Sequence, residues 1–110
     1  MTDRQASGAH PPKTLHLELP YEGDHCMPCV YMAEVVEEAV EKFGDRVRWE
    51  KIWLKKAQGA KRFIELCKTL GEAPPVPSIL IDGRLVCDMI PPVEDLQEMI
   101  EDLLRDGSTP

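Results

Sequence analysis

The chain has 110 residues, 43% hydrophobic and 30% charged, which is the size and balance of one globular domain with its own core. Its formal net charge of −7 argues against a nucleic-acid partner, because phosphate contacts need clustered Lys and Arg. No apolar run is long enough to cross a membrane, and the opening MTDRQASGAHPPK lacks the apolar stretch of a secretory signal. A cytoplasmic protein with no membrane partner is therefore expected.

Residues 1–13 are polar, with Gly8 and the Pro11–Pro12 pair, and read as a disordered tail before a domain at 14–105. In TLHLELP, Leu15, Leu17 and Leu19 alternate with His16 and Glu18, the period of a strand. YEGDH is a loop. From Met27 the period changes: Val30, Ala33, Val36, Val40 and Phe43 fall on one helical face, Glu34, Glu37, Glu38 and Glu41 on the other, and Gly44 stops the helix. VRWEKIWL, from Val47 to Leu54, is rich in β-branched and aromatic residues and reads as a second strand, with Trp49 and Trp53 as packing residues.

KKAQG reads as a loop. A second helix follows, with Ala60, Phe63, Ile64, Cys67 and Leu70 as its apolar face and Gly71 at its end. EAPPVP suits neither a helix nor a central strand. SILI and RLVC are short strands joined by Asp82–Gly83, a two-residue turn signal. Val93, Leu96, Ile100 and Leu103 mark a last helix, and residues 106–110 form a C-terminal tail. The predicted order β-α-β-α-β-β-α implies an α/β fold. A parallel pair from the first β-α-β unit and an antiparallel edge from the hairpin give a mixed four-stranded sheet with helices on both faces.

The chemistry centres on HCMPCV, residues 25–30. In the reducing cytosol a C-x-x-C is catalytic or metal-binding rather than a structural staple. Cys26 falls where loop becomes helix. Free backbone N–H groups and the helix dipole there favour a thiolate. Cys29 lies one turn further in and is the more shielded, so Cys26 is the expected attacker and Cys29 the resolver. Pro28 suits the first helical turn. A closed zinc site would need four ligands, and His25, Cys67 and Cys87 are the other candidates, none of them forming a second close pair. His25 is an exposed loop residue whose cation could further lower the pKa of Cys26. Cys67 lies on the apolar face of its helix and reads as core, while Cys87, at the end of the hairpin on the expected active-site side, reads as structural, with a regulatory thiol as the alternative.

Together, TLHLELP, CMPC, the Val76–Pro77 pair and the SILIDGRLV hairpin with its following helix resemble the thioredoxin superfamily, over Thr14 to about Leu104. The segment VPSILIDGRLV is similar to that of small glutaredoxin-like thioredoxins. The resemblance implies a cis Pro77 beside the cysteine pair, and a Val76 that offers backbone hydrogen bonds to an extended substrate. It also implies a buried acid beneath Cys29, for which Glu18 is the candidate. His25 and Met27 stand where thioredoxins usually carry Trp and Gly, and CDMIPPVEDL offers Asp88 but no glycine pair for glutathione.

The expected function is a dithiol–disulfide oxidoreductase acting on a disulfide-containing protein, recharged by an external reductant such as a reductase or a low-molecular-weight thiol. It needs no bound cofactor and no metal, because the Cys26–Cys29 pair carries the electrons. The alternative is a soft-metal (copper or zinc) binding or carrier protein using the same two cysteines.

Overall fold

A computed structural model describes residues 13–106. The expected tails at 1–13 and 106–110 lie almost entirely outside the described residues. Strand β1 spans Leu15–Tyr21, helix α1 Met27–Val40, β2 Val47–Trp53, α2 Ala57–Leu70, β3 Ile79–Ile81, β4 Arg84–Cys87 and α3 Val93–Asp106. The sheet has four strands in the order β2-β1-β3-β4. The β1–β2 pair is parallel, with Leu17 opposite Trp49 and Glu18 opposite Glu50. The β1–β3 and β3–β4 pairs are antiparallel. The architecture and the order of elements match the sequence reading.

Because side chains alternate along a strand, β1 feeds two cores. Leu15, Leu17, Leu19 and Tyr21 join α1 and α3 through Met32, Val36, Leu96, Ile100 and Leu104 in the larger one. The opposite face meets α2, where Ile52, Leu66 and Leu80 are buried with Phe63 and Leu70 packed around them. Covered on both sides, β1 keeps even Glu18 and Pro20 out of solvent.

The turn between β3 and β4 has both central residues at positive φ, 51° for Asp82 and 84° for Gly83, as a two-residue hairpin requires. Helix α1 ends at Val40 and continues as a short 3-10 turn, Glu41–Arg46, which Gly44 breaks with a non-helical backbone. Helix α2 departs from expectation in two ways. It begins at Ala57, so Ala57–Gln58–Gly59 is helix rather than loop. Its buried residue is Leu66, while Ile64 is 54% exposed. Gly59 explains the rotation. A Cβ there would stand 1.9 Å from the carbonyl oxygen of Trp53, so only glycine lets the first turn lie against the end of β2. The face set by that contact runs through Gly59, Phe63, Leu66 and Leu70, and Ile64 turns away from it.

Candidate active site

Cys26 is the N-cap of α1, with φ −88° and ψ 99°, and Pro28 sits in the first turn. The backbone N–H of Cys29 donates to Cys26 Sγ at 3.3 Å. Cys26 and Cys29 are joined as a disulfide, their Cα atoms 5.3 Å apart, a normal span for such a bridge. The two sulfurs differ in environment. Cys29 is fully buried in the larger core, whereas Cys26 is partly exposed at its margin.

The turn before the pair is tied down at both ends. The Cys26 N–H donates to the Gly23 carbonyl at 3.1 Å. The Tyr21 hydroxyl, at the end of β1, donates to Asp24 Oδ1 at 2.6 Å. That hydrogen bond, then burial, then the negative charges of Asp24 and Glu34 push the Tyr21 phenol up to about 12. The Tyr21 ring packs edge-on against Trp53, centroids 4.7 Å apart. Lys51 Nζ lies 4.4 Å from the Tyr21 centroid and Lys56 Nζ 4.8 Å from that of Trp53. Trp53 is therefore a packing residue, as expected, with cations on its ring. The Tyr21–Asp24 bond was not anticipated, although a tyrosine three residues before an aspartate at a strand end could have suggested it.

The Val76–Pro77 bond is cis. Val76 and Met27 are large apolar residues left exposed, at 36% and 48%. His25 is exposed, its Nε2 3.9 Å from Glu22 Oε2. Cys67 and Cys87 are free thiols at intermediate exposure. Cys87 packs against the larger core, and burial, with a smaller push from Asp88, raises its thiol pKa.

Glu18 does not occupy the place expected of a proton acceptor beneath Cys29. It alternates with Leu17 and Leu19, so it faces α2 while Cys29 packs with α1 on the other side of the sheet. There it is held by Arg62, Nε to Oε2 at 2.7 Å and Nη2 to Oε1 at 2.8 Å. The physical reason is strand alternation: an acid two residues from a core leucine shares that leucine's side of the sheet, and an acid one residue away cannot. Arg62 was missed. The signal was that a carboxylate facing a covering helix needs a cation from that helix.

No protein-family model and no curated protein sequence matches the chain. Solved structures do. Thioredoxin-2, a component of malaria parasite protein secretion machinery, aligns over 81% of this chain and 82% of its own, with TM-score 0.57 and 16% identity. A second malarial protein aligns over 82% and 97%, with TM-score 0.57 and 15% identity. Chloroplastic thioredoxin z aligns over 86% and 81%, with TM-score 0.62 and 19% identity. The chain has the thioredoxin fold. Within that thioredoxin-like frame, a cysteine pair at disulfide distance spans the first helical turn of α1 and fits thiol–disulfide chemistry. Among the described residues no helix is long and apolar enough to cross a membrane.

Proposed function

We propose that the protein is a dithiol–disulfide oxidoreductase of the thioredoxin or glutaredoxin-like kind, working in the cytoplasm on disulfides of a protein substrate. The observation that carries the reading is the asymmetry of the pair: a partly exposed Cys26 at the helix N-cap, bonded to a fully buried Cys29. In the reduced protein the Cys29 N–H and the positive end of the α1 dipole stabilise a Cys26 thiolate. That thiolate attacks one sulfur of the substrate disulfide. The S–S bond breaks, the leaving sulfur takes up a proton, and a mixed disulfide forms on Cys26. Cys29 then loses its proton and attacks Cys26. The substrate leaves with two thiols, and the protein keeps the Cys26–Cys29 disulfide, two electrons poorer. An external reductant, either a reductase or a low-molecular-weight thiol, restores the pair, and no other cofactor enters the cycle.

Exposed Met27 beside Cys26 and exposed Val76 beside Pro77 supply apolar surface for an extended substrate segment, with the Val76 backbone available for strand-like hydrogen bonds. His25 adds a titratable group next to Cys26 in the chain.

The test uses the full chain with single cysteine substitutions. A limiting alkylating reagent at neutral pH labels Cys26 before Cys29 in the reduced protein. Cys29→Ser accumulates mixed disulfide with a protein substrate, because attack proceeds and resolution does not, while Cys26→Ser forms none. Equal labelling of the two sulfurs, or stoichiometric copper or zinc that protects both from alkylation, refutes the reading in favour of a metal carrier.

A further inference from the structure

The face of the sheet opposite the cysteine pair carries a second cluster of reactive side chains. His16 and Glu18 alternate on β1, so both point toward α2. Glu50 stands opposite Glu18 in the parallel β1–β2 register. His16 Nε2 lies 3.0 Å from Glu50 Oε2. One ligand atom from each of His16, Glu18 and Glu50 falls within 4.8 Å of the others. A cavity of about 660 Å³ opens over them and is also lined by Ile52, Gln58 and Arg62.

We infer that His16, Glu18 and Glu50 form a binding site for a first-row divalent cation, zinc by its donor set, separate from Cys26 and Cys29. An imidazole with two carboxylates is a nitrogen–oxygen set that suits zinc. The three atoms are already so close that shifts under about 1 Å bring each to the roughly 2.0–2.2 Å that zinc requires.

Two features preorganise the set. Glu18, almost fully buried, is held in one orientation by Arg62. Those two bonds use one lone pair on each carboxylate oxygen and leave another on each for a cation. The His16 backbone is fastened by Asp82, whose Oδ1 accepts from the His16 N–H at 3.1 Å and whose own N–H donates to the His16 carbonyl at 2.9 Å. Water from the cavity completes the coordination. Arg62 orients a ligand from the outer shell, and its positive charge keeps the site weaker than a closed structural zinc site. The site holds no thiolate, so it stands or falls independently of the redox chemistry.

The test is calorimetric titration of the disulfide-closed protein with zinc chloride, in a Cys67→Ser/Cys87→Ser background that leaves no free thiol. One saturable site is expected. His16→Ala and Glu50→Gln should each weaken it by about tenfold or more, a loss that removing even an outer-shell partner can reach. Both replaced side chains are about half exposed, so the variants fold, and their melting without zinc verifies that. Zinc should raise the melting temperature of the parent and not that of His16→Ala. Absence of saturable binding, or several weak sites that ignore both substitutions, overturns the inference, the latter outcome meaning only diffuse attraction to an acidic surface.

Discussion

Replacing Arg62 tests whether the pairing across the β1–α2 interface has the energetic shape that its burial implies. The Glu18 side chain is 4% exposed and the Arg62 side chain 40%. Arg62→Leu strands a buried carboxylate. Removing one partner of a buried pair costs about 3–5 kcal/mol, and because the neighbouring cavity admits water to one side of Glu18, the lower end, about 3 kcal/mol, is expected. Glu18→Leu is milder. It leaves a guanidinium that already reaches solvent and keeps Glu65 Oε1 at 3.2 Å, so about 1 kcal/mol is expected. The double leucine variant strands nothing and should return to within about 1 kcal/mol of the parent. Urea denaturation of the four proteins with the disulfide closed and a chelator present measures all three values. If Arg62→Leu costs no more than Glu18→Leu, the carboxylate is not buried as described and the argument fails.

Two further predictions follow from neighbouring contacts. Gly59→Ala drives a methyl group into the Trp53 carbonyl and should destabilise the fold by about 1–3 kcal/mol, the usual cost of overpacking; an unchanged urea midpoint would show that α2 does not sit against β2 as described. For Tyr21, the folded phenol pKa, about 12, lies above the ordinary value near 10. The stabilisation from keeping this proton is complete below pH 10 and is lost as pH rises through 12, because the unfolded chain releases the proton first. In a Tyr31→Phe variant the single remaining tyrosine should titrate near 12 by ultraviolet absorbance, and a midpoint near 10 would contradict the Tyr21–Asp24 hydrogen bond.

Much of the fold was legible because local rules agreed with one another. The alternation of Leu15, Leu17 and Leu19, the helical spacing after Met27 and the Asp82–Gly83 turn each report on their own segment, and the structure keeps all three. Where a residue's role depends on a distant segment, local rules do not reach it. Ala57–Gln58–Gly59 reads as a loop in the sequence but is helical in the structure; glycine disfavours helix by about 1 kcal/mol, a penalty that packing against Trp53 outweighs. The same contact rotates α2, which exposes Ile64 and buries Leu66.

The candidate site divides in the same way. The sequence by itself determined the place of Cys26 and Cys29 at a helix start and the ranking of their exposure, because one helical turn separates cap from interior and periodicity says which side of that turn is core. Only the tertiary structure decided what faces what across the sheet. It put Glu18 against Arg62, 44 residues away in the chain, rather than beneath Cys29, and brought Glu50 alongside Glu18 and His16. Strand alternation is local and can be read from neighbours. Parallel register and helix rotation are set by packing between segments far apart in sequence, and no short window of residues contains that information.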